Sequence, residues 1–479
     1  MQHLSARSQP RGRIVFFVPR WLEDSMSPSG MPYRVIPVLS SLTANGFAVD
    51  FFTELHDGWQ SDELRRSLDG CAAAVAWCAE LNPGVQVPGL IGFLERARAE
   101  SPAIRRIAGG GFFPLVPPPR LDLEPLTDDI VTGQEVDALS RCLLGEPASA
   151  AGGRERFDVH AARELDLRPF LRPESVLFGN EEPSLQIPTG LGCGKHCPFC
   201  FYEQTQLRVL SADRVVDLVA FVYERYDVRQ FLFGELDFLA SRRRAVQVAH
   251  GLVERGLPVR WFALGSISDL LQLTEAELEL LARSGCVTFE LGTEAGSNTA
   301  LRKLGKHFTP TDAISAHERL LAHGITPVHN FVFGWPGETR ADQHATRHLI
   351  DRLHRRDRRV LFNFRLYQAI PSTTMGEQAL RYHGPLPRNL AELREFRTDS
   401  DRQLPWLSRG EEERVRFLTE YVLPLAYHDV LNEGSPSRSR DWLKKLARWR
   451  SRLGFMSLRL DRRLFRERAA VGLPNTYLP

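Results

Sequence analysis

The 479-residue chain has 43% hydrophobic and 25% charged residues with 36 glycines and 31 prolines. These are ordinary values for a globular protein, so they exclude collagen, coiled coil and disorder, and the length leaves room for about three domains. The net charge is +2, no run of about 18 apolar residues offers a membrane span, and the polar start MQHLSARSQPRGR lacks a secretory pattern. A cytoplasmic location without membrane contact is expected. Seven cysteines are too few for a disulfide scaffold.

Strand-like and helix-like segments alternate over the first 140 or so residues, which predicts a doubly wound parallel sheet. Ile14–Val18 (IVFFV) reads as a buried strand. Pro32–Gly46 carries apolar residues at helical spacing and stops on Asn-Gly. FAVDFF, Ala72–Trp77 and Arg105–Gly111 read as further strands, with a helix around GLIGFLERARAE; Asp128–Gly133 is a short strand before the helix QEVDALSRCLL. The small-residue stretch Ala148–Arg154 places a boundary near 150, and 151–180 reads as a connector. From SLQIPTG onward, FLFGE, VRWFAL, VTFELGT, ITPVHNFVFG and LFNFRLYQAI are five more strands, each followed by helical sequence. This pattern predicts a partial parallel α/β barrel over 181–384, with its chemistry at the C-terminal strand ends. Residues 385–479 read as a helical extension. In it Trp442, Leu446, Trp449 and Leu453 form an amphipathic stripe expected to dock on the barrel.

The sharpest motif is GLGCGKHCPFCFYEQ, which sets Cys193, Cys197 and Cys200 in C-x-x-x-C-x-x-C spacing after the first barrel strand. A 4Fe–4S cluster normally takes four cysteines, and no fourth follows nearby, so one iron is left open to another ligand. A zinc site formed with His196 is the competing reading. Adjacent residues 196 and 197, however, cannot easily both face one metal. The remaining cysteines, Cys71, Cys78, Cys142 and Cys286, lie scattered in apolar runs.

This motif, with aromatic Phe199 before the last cysteine, resembles the radical S-adenosylmethionine (SAM) superfamily over roughly residues 180 to 380. The resemblance implies that SAM chelates the open iron and is cleaved by a cluster electron to a 5′-deoxyadenosyl radical. It also implies an electron donor such as flavodoxin or ferredoxin. FLFGELDF resembles the segment that holds the SAM ammonium, matched by Gly234 and Glu235, although Phe233 replaces its first glycine. ELGTEAGS, followed by LRKLGKHFT, resembles the segment whose acid binds the SAM ribose, a role that falls to Glu294. FVFGWPGET resembles the motif in which Gly334 lets backbone approach adenine. AIPSTTM resembles the segment that closes the site. Tyr202, His329 and Tyr367 are candidate catalytic residues by strand-end position alone.

A small doubly wound domain ahead of such a barrel resembles the cobalamin-binding subclass. Gly109, Gly110, Gly111 and Gly133 are then the candidates for close approach of the corrin. The loop VPRWLEDSMSPSG contains no histidine, and His56 follows the wrong strand, so cobalamin would bind without a protein imidazole on cobalt.

From Arg438 to Arg468, twelve Lys and Arg stand against three Asp and Glu, a local surplus of nine positive charges. This stretch is a candidate surface for an acidic partner; no motif supports specific nucleic-acid binding. The expected function is radical SAM chemistry, with cobalamin-dependent C-methylation of a small metabolite. The alternatives are a radical SAM dehydratase or rearrangement enzyme that keeps an unused cobalamin fold, and a non-catalytic iron–sulfur or zinc protein.

Overall fold

The structure, a computed structural model, describes residues 11–20, 35–54, 57–78, 83–110, 123, 125–132, 138–145, 184–203, 207–370, 373–382, 389, 392, 404–428 and 438–456. The chain divides into two compact units, Met1–Leu177 with Gly384–Asp401, and Phe178–His383 with Arg402–Pro479.

In the first unit, β1 (Gly12–Val18), β2 (Phe47–Thr53), β3 (Ala73–Trp77), β4 (Arg105–Gly110) and β5 (Asp129–Thr132) form one sheet in the order β2-β1-β3-β4-β5. Every pairing is parallel. Ile14 to Val18 are wholly buried, because helices cover both faces of such a sheet; a continuous apolar run rather than an alternating one is the result. The helix Ile36–Ala44 ends at Asn45, with Gly46 at φ +84°, as the Asn-Gly stop predicts. The strand order reverses direction between β1 and β3, and ligands of doubly wound sheets sit at that crevice. Sequence patterning missed the helix Asp62–Leu68, whose seven residues are too few for a clear period.

In the second unit, β6 (Ser184–Ile187), β9 (Gln230–Phe233), β10 (Arg260–Gly265), β11 (Cys286–Glu294), β12 (Thr326–Phe333) and β13 (Leu361–Leu366) run in sequence order across one sheet. All five pairings are parallel. β6 and β13 are the two edges, as in a partial barrel. Between β6 and β9, β7 (Gly190–Leu191) and β8 (Arg208–Val209) form a short antiparallel ribbon, and the cysteine loop hangs from it. Alternate residues sort the two faces. Phe231, Phe233, Trp261 and Phe289 pack beneath the helices, with Trp261 stacked on Phe233 at 5.0 Å, whereas Gln186, Leu232, Leu264 and Glu290 lie on the other face and are only partly covered. Capping boxes Thr274–Glu277, Thr309–Asp312 and Thr339–Asp342 start three of the barrel helices by satisfying two otherwise orphaned backbone N–H groups each.

The C-terminal helix Arg438–Leu453 forms as expected but docks by the opposite face. Leu443, Ala447, Arg450 and Ser451 are buried, while Trp442 is 59% and Trp449 48% exposed, and Leu453 is also exposed. The expected docking by the tryptophan stripe is therefore wrong. Small Ala447 and Ser451 allow close packing, and Arg347 donates to the Ser451 carbonyl at 2.7 Å; bulky indoles would hold the helix away.

Candidate cluster and SAM site

Cys193, Cys197 and Cys200 lie on one loop between β7 and β8, at the C-terminal end of the first barrel strand. Cys200 N–H donates to the Cys197 carbonyl at 3.0 Å and Glu203 N–H to the Cys200 carbonyl at 2.9 Å, a tight turn that brings the last two thiols to one side. Burial pushes all three thiols up, Cys200 to about 11, so they become thiolates only when a metal displaces the protons. Among the described residues, no three His, Cys, Asp or Glu converge on a single ion. A cubane asks for something else, one thiolate on each of three separate irons. His196 is exposed and donates through Nδ1 to the Glu203 carbonyl at 2.7 Å, which commits that ring nitrogen away from the thiols.

Lys306, which sequence reading passed over inside LRKLGKHFT, is the central cation of the site. Its Nζ lies 3.2 Å from Glu294 and 5.7 Å from the Phe199 ring centroid, within cation–π range. Although burial opposes its charge, Glu294 and then Cys197 hold its pKa well above the ordinary lysine value. Glu294 ends β11 with φ +59°, and Ala295 N–H donates to the Thr293 carbonyl at 2.7 Å, closing a three-residue turn around it. A glutamate in left-handed backbone is strained, and such strain concentrates at functional sites. The structure thus places Glu294 and Phe199 together at the cysteine loop.

A second charged group braces the loop from the other side. Lys195 Nζ lies 2.7 Å from Asp269 and 3.7 Å from Asp237. Burial, and then the neighbouring Asp269 charge, raise Asp237 to about 7. The Lys195 ammonium beside Asp269 holds its carboxyl below the ordinary value against its burial. These groups sit past the ends of β9 and β10, and Lys195, placed between two cluster cysteines, was the signal that could have revealed them.

Glu235 is wholly buried and accepts from Arg244 Nη1 at 2.7 Å. Arg244 also donates to the Thr189 carbonyl at 3.0 Å. The other Glu235 oxygen faces Gly190, where a Cβ would stand 2.6 Å from it. The ion pair ties β9 to the strand that launches the cysteine loop, and Oε2, buried with no hydrogen-bond partner among the described residues, is left for another donor. Gly234 N–H donates to the Ile187 carbonyl at 2.8 Å, serving the same junction.

Two other expectations need correction. His329 faces the helix layer, 3.1 Å from His317 and 2.7 Å from the Thr293 hydroxyl, and burial holds it neutral, well below its ordinary pKa; it is a core histidine. Gly334 has φ +75°, but its carbonyl accepts from the Trp406 indole at 2.6 Å, and a Cβ there would meet Leu404 at 2.9 Å, so the C-terminal region covers the expected adenine contact. Gly109 and Gly110 are small because a Cβ would strike the Trp77 ring at 2.6 Å and the Cys78 carbonyl at 2.1 Å, which is packing within the first sheet. Gly111, Gly133 and His56 lie outside the described residues, and the described residues of the first unit contain no histidine.

Tyr202 is buried beside the loop, its ring edge-on to Phe201 at 5.0 Å. Tyr367 is buried against Trp406, and burial raises its phenol. The closing segment after β13 is anchored to the cysteine loop. Met375 N–H donates to the Pro198 carbonyl at 2.8 Å, and Glu203 accepts from Thr374 N–H at 2.8 Å and from its hydroxyl at 2.6 Å. Pro371 and Ser372 lie outside the described residues.

Residues 187–350 match the model of the Radical SAM superfamily. The chain is 26% identical over 230 residues to an uncharacterized methyltransferase of Pyrococcus horikoshii, covering 47% of this chain and 50% of that protein. It is 22% identical over 356 residues to the anaerobic magnesium-protoporphyrin IX monomethyl ester cyclase of Rubrivivax gelatinosus, covering 68% and 63%. The chain thus spans half to about two thirds of these relatives. Among solved structures, the methyltransferase TsrM of Kitasatospora setae with cobalamin and a 4Fe–4S cluster bound has the same fold over 91% of this chain and 99% of its own, at TM-score 0.60 and 16% identity. OxsB with aqua-cobalamin and SAM bound matches 92% of this chain and 72% of its own, at TM-score 0.67 and 12% identity.

Proposed function

We propose that this chain, whose residues 187–350 match the Radical SAM superfamily and follow a doubly wound parallel sheet, is a radical SAM enzyme that methylates a carbon of a small metabolite in a cobalamin-dependent reaction. The observation that carries the reading is the presence in one chain of a five-stranded β2-β1-β3-β4-β5 sheet and a six-stranded parallel barrel bearing the three-cysteine loop.

The donor set fits the cluster that this family implies. Cys193, Cys197 and Cys200 would hold it, and when bound it supplies the electron that splits SAM. The protein's own groups prepare the setting. Lys306 keeps a positive charge beside the thiols, where it offsets the charge of the thiolates and can meet an anionic group. Glu294 fixes that ammonium. Glu203 and Pro198 bind the closing segment, which shields the site from water, and a shielded site protects a reactive radical. Asp237, its pKa raised by burial and by the neighbouring Asp269 charge, stands near the loop as a carboxyl that can exchange a proton. The non-catalytic alternative is set aside by the radical SAM domain itself.

The test is anaerobic reconstitution with iron, sulfide and hydroxocobalamin, followed by SAM carrying a deuterated methyl group, a low-potential reductant and a small-metabolite extract. The reading expects 5′-deoxyadenosine together with a metabolite carrying the deuterated methyl. Formation of 5′-deoxyadenosine with no methyl transferred would favour the dehydratase or rearrangement alternative.

A further inference from the structure

The uncovered face of the barrel sheet carries a charged cluster that none of the roles above uses. Glu290 on β11 shares a face with Gly292, opposite the packed Phe289 and Leu291, and past a break in register after Leu291 the Glu294 carboxylate lies over Gly292. Its Oε1 accepts from Asn330 Nδ2 on β12 at 2.7 Å and from Asn363 Nδ2 on β13 at 3.3 Å, and Asn363 also donates to Asn330 Oδ1 at 2.7 Å. Two amides from successive strands therefore orient one carboxylate oxygen. Its Oε2 has no hydrogen bond or ion pair among the described residues, and the side chain remains partly open.

Arg365 lies two residues beyond Asn363, on the same face of β13. It is exposed, and it likewise has no ion pair among the described residues. Were this a purely structural pair, Glu290 and Arg365 would be expected to close on each other, because a desolvated carboxylate left without a partner is costly. Instead the amides hold Glu290 back, and the two opposite charges stand apart on one wall. Burial raises the Glu290 pKa, and the Asn330 bond and then Arg365 oppose the rise. Arg365 is thus near enough to be felt electrostatically. From Glu290 to Glu294 the strand keeps pace with three residues of β12, a rise of roughly 10 Å at about 3.3 Å per residue, which brings the top of this wall to the cysteine loop.

We propose that Glu290 and Arg365 bind a zwitterionic substrate of amino-acid type, its ammonium on Glu290 and its carboxylate on Arg365, with the remainder reaching toward the cluster end of the barrel. This rests on the radical SAM reading and adds a substrate class to it. Arg offers a two-pronged fit to a carboxylate, and a carboxylate with one oxygen already oriented is prepared for an ammonium. Asn330 and Asn363 are positioning residues.

The experiment measures equilibrium binding of the common amino acids, their decarboxylated amines and their deaminated acids to the reconstituted holoprotein. At least one amino acid should bind, with its amine and acid counterparts each at least tenfold weaker. Glu290→Gln and Arg365→Gln should each weaken its binding at least tenfold. Cluster iron in the variants reports their folding, and the exposed position of Arg365 keeps the test available if Glu290→Gln folds poorly. The proposal is overturned if no amino acid binds, if an amine or acid binds as well as its zwitterion, or if a folded variant binds like the wild type. Reductive SAM cleavage by the wild type, measured in the same preparation, separates the two levels. Cleavage without zwitterion binding removes only the substrate class; absence of cleavage removes the reading beneath it.

Discussion

Cys197 and Lys306 define the site at the scale of single residues, and each can be tested alone. Cys197→Ala should abolish cluster iron, because three protein thiolates are the minimum this loop supplies. Cys286→Ala should keep it, since Cys286 is buried in β11 away from the loop. Iron and sulfide analysis after reconstitution decides between them. For Lys306, the relevant cost is that of an abandoned charge: Lys306→Met leaves the buried Glu294 carboxylate without its partner and should destabilise the fold by roughly 3–5 kcal/mol. Adding Glu294→Gln should recover much of that loss. A double-mutant cycle by urea denaturation measures the coupling, and a cycle that sums additively would refute the pair.

At the scale of elements, the turn after β12 and the C-terminal helix make separate predictions. Glu338 accepts from Gly334 N–H and from Gln343, both at distances of 2.7–2.8 Å, yet burial raises its pKa from 4.5 to about 7. The folded state then holds this proton more tightly than the unfolded state. Its contribution is present below pH 4.5 and is lost as pH rises through 7, by at most about 3.5 kcal/mol. Glu338→Gln keeps both acceptor contacts and removes the titration, so its stability relative to wild type should improve between pH 5 and 8. A constant difference in urea midpoint across that range would show that the carboxyl does not titrate there. For the helix Arg438–Leu453, Leu443→Ala should cost roughly 2–5 kcal/mol, and Trp442→Ala less than about 0.5 kcal/mol, because only the former side chain is buried. The opposite order in thermal denaturation would restore the docking face expected from the tryptophan stripe.

At the scale of the whole molecule, the alternation of strands and helices in both units was legible in the sequence because parallel strands covered on both faces read as unbroken apolar runs such as IVFFV. The cysteine loop was legible because its spacing is local. What stayed hidden depends on contacts between distant segments. Arg244 answers Glu235 across nine residues, Lys306 answers Glu294 across a helix, and Asn330 and Asn363 reach Glu290 from two neighbouring strands. Strand-end position alone could not tell His329, turned toward His317, from a residue facing the cavity. The tryptophan stripe misled for a related reason: hydrophobic periodicity identifies a helix but does not say which of two plausible faces fits closely against its neighbour.

Whether a radical SAM barrel works here with a corrinoid is decided by corrinoid content per chain after anaerobic reconstitution with hydroxocobalamin and gel filtration. About one corrinoid should be retained per chain, as read from its absorbance against protein concentration, in a preparation whose cluster is intact. A fully clustered protein that emerges without corrin absorbance would contradict it.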